Sequence, residues 1–165
     1  MTNIDMPKRI LIKEYRAKDK DRVVDCIKAL QNHERVLEKD RVRGEVIAKK
    51  YLGQLLTKCR KNHGKIYVAV LKNKIIGMAS VWIEKETHDI TSDIKRYAYF
   101  SDLFVSSDYR RRGIGKNFFR KIQQYAKANK ARFIKCEALS KNKPMRHLME
   151  QDGFREYEIG YLKKL

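Results

Sequence analysis

Between Tyr97 and Tyr125 the chain passes from an apolar run into a loop rich in arginine and glycine, and then into a helical pattern. Tyr97 to Val105 suits a strand, and Ser106-Ser107-Asp108-Tyr109 suits a turn. Arg110-Arg111-Arg112-Gly113-Ile114-Gly115 follows. Lys116-Asn117-Phe118-Phe119 then opens a helix whose buried face is Phe118, Ile122 and Tyr125. Amides at a helix start have no partner within the helix, and the helix dipole is positive there. Glycines let a phosphate come close to such a backbone. This stretch is expected to grip a phosphorylated ligand, with the rest of the chain arranged around it.

The flanking pattern alternates strands and helices. Residues 8–15 suit a first strand. Residues 19–38 suit a helix with Val23, Ile27 and Leu30 on one face, and 43–61 a second with Ile47, Tyr51, Leu55 and Cys59 aligned. Ile66 to Leu71 is a continuous apolar run, as in a strand buried on both faces. Lys72-Asn73-Lys74 makes a tight turn, and Ile75 to Glu84 returns as the second strand of a hairpin. Residues 85–95 are polar and form the longest expected loop. Arg132 to Leu139 suits a strand, and Asn142 to Gln151 a short helix ended by Asp152-Gly153. Phe154 to Leu162 is expected to be a final strand or strand pair. The reading is an α+β fold in which a tail of residues 1–7 precedes one domain over 8–165, with a mixed, mostly antiparallel, twisted sheet flanked by helices.

Composition bounds the setting. The 165 residues hold 42% hydrophobic residues, enough for one real core. No apolar run is long enough to span a membrane, and residues 1–7 lack the pattern of a secretory signal. Cys26, Cys59 and Cys136 form neither a disulfide framework nor a metal-ligand spacing, so a reducing cytoplasm and no metal are expected. The formal net charge of +19 is spread from Lys8 to Lys164. It reads as a solvated surface or as attraction for a polyanion, nucleic acid included.

Three phosphate motifs compete for residues 110–116. A P-loop ending at Gly115-Lys116 needs glycine where Arg110 stands, and a hydroxyl residue where Asn117 stands. The dinucleotide fingerprint needs glycine at Phe118. The third fits. Arg110-x-x-Gly113-x-Gly115, between an apolar strand and an amphipathic helix, resembles the acetyl-CoA pyrophosphate loop of the GNAT N-acetyltransferase superfamily. That superfamily also carries an asparagine early in a short helix and a Gly-Phe pair eleven residues on, here Asn142 and Gly153-Phe154. The resemblance covers residues 65–162. The first 60 residues match it only in their strand-helix-helix order, on the superfamily's variable substrate side.

The resemblance implies an acetyl-CoA-dependent amine N-acetyltransferase that works by direct attack, without a metal. Backbone groups of Leu103, Phe104 and Val105 would meet the pantetheine arm, and a backbone amide near Phe104 would serve the oxyanion. Amides from Arg111 through Arg112, Gly113, Ile114 and Gly115 to Lys116 would hold the pyrophosphate. Arg110 occupies the superfamily's Gln/Arg position, and Arg111, Arg112 and Lys116 could reach the adenosine phosphates. Asn142 would bond the pantetheine or orient the thioester.

Asp102 is the first candidate for proton acceptor or amine ligand, and Glu84 the second. Polyamine acetyltransferases of the superfamily carry an acidic pair at this place, whereas Ser101 stands here at its first position. Plain alternation puts Asp102 with Phe100 and Phe104, unless a bulge intervenes. Many members place a tyrosine acid seven residues after the asparagine, where this chain has Met149. Tyr157, Tyr161, His147 and Cys136 are possible substitutes.

The acceptor would meet Asn32, His33 and Glu34, the loop 85–95 and the C-terminal strands. Glu34, Glu84, Glu86, Asp89, Asp93 and Asp102 could make an acidic pocket for it. A small-molecule amine (polyamine, aminoglycoside-like or amino acid) is the leading acceptor. A protein N-terminus or lysine is an alternative, as is a non-catalytic module that binds coenzyme A or nucleic acid. A homodimer is possible.

Overall fold

A computed structural model describes residues 9–86 and 96–165. The expected tail over 1–7, and the loop residues 87–95 with Asp89 and Asp93, lie outside the described residues. Among the described residues the five strands are β1 (Leu11–Glu14), β2 (Lys65–Leu71), β3 (Lys74–Lys85), β4 (Arg96–Val105) and β5 (Phe133–Cys136). The helices are α1 (Lys20–Leu37), α2 (Gly44–Lys61), α3 (Ile114–Ala128) and α4 (Lys143–Gln151). The sheet order is β1-β2-β3-β4-β5. Neighbours are antiparallel through β4, and β5 joins β4 in parallel. This is the mixed α+β architecture expected from the sequence.

The apolar run in β2 is explained by cover on both faces. Ile66 and Val68 pack in a cluster with Val23, Ile27, Leu52 and Leu55 of α1 and α2. Tyr67 and Ala69 join the opposite cluster with Phe118, Phe119 and Ile122 of α3. Lys72 and Asn73 turn the hairpin with φ of 48° and 61°, the left-handed pair that matches strand twist.

Two strand features position the site. First, β4 outruns β5: pairing stops at Phe100↔Cys136, while β4 continues to Val105. Second, the β3–β4 register pairs Ser80 with Asp102 but Val81 with Phe100, leaving Ser101 as an extra residue. This bulge reverses the alternation expected over Phe100–Phe104. Ala98, Phe100, Leu103 and Val105 belong to the α3 side, whereas Tyr99 and Phe104 belong to the α1/α2 side. Asp102 lies on the side of Phe104 but not on that of Phe100, and reaches Tyr51 of α2.

The strand expected over 154–162 does not form. Beyond the bond from Phe154 N–H to the Met149 carbonyl, residues 155–165 make no backbone–backbone hydrogen bond among the described residues. Only side chains meet β5: Lys135 Nζ lies 4.9 Å from the Tyr157 ring centroid and 4.0 Å from Glu158. A strand needs a ladder, and four-residue β5 gives this segment none. Among the described residues, no helix is long and apolar enough to cross a membrane.

Phe119 knits the α3 side together, with Phe100 edge-on at 5.5 Å and Phe154 at 5.7 Å. Phe119→Ala is expected to cost about 3–5 kcal/mol of stability, read as a lower urea midpoint, because the cavity lies where three elements meet.

Candidate functional site

The loop before α3 forms a concavity of backbone amides. Arg110 is extended, Arg111 is left-handed at φ 61°, and Gly113 is left-handed at φ 75° just before the helix. An added Cβ at Gly113 would meet nothing, so the requirement there is conformational. At Gly115 a Cβ would sit 2.8 Å from Leu148 Cδ2 of α4, a contact that the end of the leucine side chain can relieve by shifting. No side chain caps α3, and its first turn holds no acidic residue. Its leading amides at Ile114, Gly115 and Lys116 therefore lack an intrahelical partner, at the positive end of the dipole. Arg111, Arg112 and Lys116 surround them in solvent, with the Arg112 guanidinium 5.6 Å from the Tyr109 ring. Arg110 turns back instead, its Nε donating to the Val105 carbonyl at 2.9 Å, and so ties the loop to the end of β4.

Beside this loop lies the unpaired edge of β4. From Ser101 to Val105 it has β3 on one side and no ladder with β5 on the other. At about 3.3 Å per residue, this slot runs roughly 16 Å from Phe100 to Val105. α4 packs on the α3-side cluster through Met145, Leu148 and Met149, and Asn142 is its N-cap, with its Oδ1 accepting from Met145 N–H at 3.3 Å. Neighbouring Lys141 pairs with Glu38, just past α1, at 3.1 Å. This ion pair ties the loop before Asn142 to the end of α1.

The bulge places a buried carboxylate next to the slot. Asp102 is 7% exposed. Tyr51 Oη donates to its Oδ1 at 2.9 Å and Ser80 Oγ donates to its Oδ2, while the neighbouring Ser101 hydroxyl favours its charged form. Burial pushes the Asp102 carboxyl above the usual range, and the three hydroxyls pull against that shift. Glu34 of α1 is also raised, first by burial and further by the charge of Asp102, although Arg41 at 3.8 Å opposes this. The same surroundings push the Tyr51 phenol up, first through burial and then through Asp102. Two carboxylates with raised affinity for protons therefore share one side of the bulge.

The sequence matches the acetyltransferase (GNAT) family over residues 30–154. This chain belongs to the GNAT acetyltransferase family. No curated protein matches it. Among solved structures it is similar to an aminoglycoside N-acetyltransferase, AAC(6')-Iy, in complex with CoA: identity 14%, coverage 98% of each chain, TM-score 0.77. A transcriptional regulator from Bacillus halodurans shares 17% identity over 95% of this chain and 100% of its own, with a TM-score of 0.74. The aminoglycoside 6'-N-acetyltransferase AAC(6')-IG from Acinetobacter haemolyticus shares 19% over 94% and 98%, with a TM-score of 0.69. At these identities the likeness is one of fold.

Within this GNAT protein the expected carboxylates separate. Glu84 pairs with Tyr97 four positions along β3 from Ser80, about 13 Å away at strand rise. It accepts from Trp82 Nε1 at 2.6 Å and pairs with Lys58 at 2.9 Å, so the structure does not bring it to Asp102. Asn32 is occupied in joining α1 to α2, its Oδ1 accepting from Gly44 N–H at 2.8 Å. Met149, at the superfamily's tyrosine position, packs its sulfur 3.6 Å from Cys136 Sγ. Burial pushes the Cys136 thiol up to about 12, so proton transfer from it to a departing thiolate of pKa ~8.5 runs uphill by several units. His147 lies exposed, 3.0 Å from Gln151, and Tyr161 is 93% exposed.

Tyr51 and Ser80 are the site residues that the sequence did not single out. Each stands inside an apolar pattern, Tyr51 in the stripe of α2 and Ser80 in the middle of β3. A buried hydroxyl in such a pattern needs a partner, and that was the available signal.

Because the folded Asp102 carboxyl is raised, the folded state keeps a proton that the unfolded chain loses above pH ~3.9. Its contribution to stability is therefore full below that value and declines as pH rises through the folded pKa. Asp102→Asn is expected to melt at a higher temperature than the wild type at pH 8 and at the same temperature near pH 4. A gain of equal size at both pH values would contradict the assignment.

Proposed function

We propose that this acetyltransferase moves the acetyl group of acetyl-CoA to a primary amine of a small molecule by direct attack. The observation that carries the reading is the uncapped start of α3 lying beside the open edge of β4, with the buried Asp102 carboxylate on that same strand segment. Acetyl-CoA supplies an activated thioester. The amides of Arg111–Lys116 bind the pyrophosphate, assisted by the exposed Arg111, Arg112 and Lys116 side chains. Leu103, Phe104 and Val105 offer main-chain groups to the pantetheine arm, and an amide near Phe104 faces the oxyanion. Asn142, with its Oδ1 engaged in capping α4, can donate through its amide nitrogen.

An amine of pKa ~10 arrives protonated at neutral pH. Asp102 and Glu34 attract that cation in a protein whose net charge is +19. Asp102, with its raised affinity for protons, accepts the one that must leave before attack. No side chain at Met149 donates to the departing thiolate, which is a tolerable leaving group at pKa ~8.5.

Acetyl-CoA at about 100 times its Kd is expected to stabilise the fold by about 2.7 kcal/mol, read as a raised melting temperature. Gly113→Val forces a β-branched residue into φ 75°, where nothing crowds it, and is expected to remove that shift while leaving a folded protein. Acetyl transfer is then assayed on spermidine, kanamycin, L-lysine, a peptide with a free N-terminus and a lysine peptide. Turnover of a small amine supports the reading. Exclusive turnover of a peptide moves the acceptor to protein, and no thermal shift with millimolar acetyl-CoA overturns the assignment.

A further inference from the structure

Asp102 is an unusual buried charge. Among the described residues no lysine, arginine or histidine pairs with it, and its hydrogen-bond partners are two hydroxyls, Tyr51 of α2 and Ser80 of β3, with Ser101 of β4 next to it in the bulge. A buried carboxylate is ordinarily paired with a cation, because its desolvation is costly. The other groups around it make ionisation harder. Glu34 faces it from α1, Cys59 from α2 with its thiol pushed up to about 11, and Tyr99 from β4 with its phenol pushed up to about 12. Burial leads each of these shifts, and the charge of Asp102 adds to all three.

Access divides the hydroxyls. Ser80 is fully buried, whereas Ser101 is half-buried and stands at the start of the open edge. Ser101 is also the residue without a partner on β3, so its backbone leaves the alternation that confines its neighbours. The bulge sets Ser101 beside Asp102, and its hydroxyl lowers the proton affinity of both Asp102 and Tyr51.

We propose that Ser101 is the catalytic hydroxyl that contacts the acceptor amine, and that Tyr51 and Ser80 are positioning residues that hold Asp102 as the carboxylate behind it. This rests on the amine acetyltransfer reading above. The ammonium N–H donates to Ser101 Oγ while the Ser101 O–H donates to Asp102. One proton passes from nitrogen to the serine oxygen as the serine's own proton passes to the carboxylate. The products are a neutral amine with a free lone pair, an unchanged serine and a protonated Asp102, which returns its proton to water after turnover. Burial suits this role, since a carboxylate with higher proton affinity lies closer to the ammonium it must deprotonate.

The test uses the whole protein and whichever of the five assayed acceptors it turns over. Ser101→Ala is expected to lower kcat by about 100-fold with little change in the KM for acetyl-CoA, and Ser101→Thr to restore most of the rate. Tyr51→Phe removes a donor to the charged form of Asp102. It should move the acid limb of the kcat/KM profile to higher pH, and the Asp102 carboxyl titration followed by carbon NMR should move up with it. That titration needs neither acetyl-CoA nor turnover. Wild-type rates in Ser101→Ala, equal losses in the alanine and threonine variants, or a Tyr51→Phe variant whose Asp102 titration stays in place would each overturn the proposal. No turnover of any acceptor by the wild type overturns the underlying reading as well.

Discussion

Ser101 has no partner on β3, and much of the site depends on that one unpaired residue. Without it, strict alternation would leave Asp102 and Phe100 on one face. With it, Phe100 faces α3 and joins the Phe119 cluster, while Asp102 faces α2 and the Tyr51 hydroxyl. A β-bulge also increases local twist and bends its strand. The ladder to β5 ends at Phe100, just before the bulge, and the free edge of β4 begins there. The same residue thus turns a carboxylate toward α2 where the free edge of β4 begins.

The second constraint is electrostatic. The slot ends at the uncapped start of α3, surrounded by Arg111, Arg112 and Lys116. No acidic residue in the first turn competes with an anion there. The other end of the site is the opposite case, with Glu34 and Asp102 close enough to raise one side chain's proton affinity through the other's charge. Basic side chains with unpartnered amides at one end, and carboxylates at the other, are joined by a single strand. In a chain of net charge +19, these carboxylates make the second end locally acidic.

Much of the fold was legible in the sequence because its signals are local. The apolar run of β2, the helical stripes of α1 and α3, and the glycines before α3 each state their environment within a few residues. The loop was legible for the same reason, since left-handed Gly113 is a requirement of the backbone itself. The orientation of Asp102 was not, because register is set between strands and a one-residue slip reverses every face. The Tyr51–Asp102 bond spans 51 residues, beyond the reach of any periodicity. Tyr157, Ile159 and Tyr161 alternate with Glu158 and Gly160 like a strand, yet whether the segment forms one depends on pairing with a distant strand, which no local pattern states.

Amide-resolved NMR during titration with coenzyme A tests the central claim most directly, because the claim concerns backbone amides. The account predicts that the largest shifts fall on Leu103, Phe104 and Val105 and on Arg111 through Lys116, with slow or intermediate exchange at Ile114, Gly115 and Lys116. Saturable binding whose shifts leave both groups unmoved would contradict it.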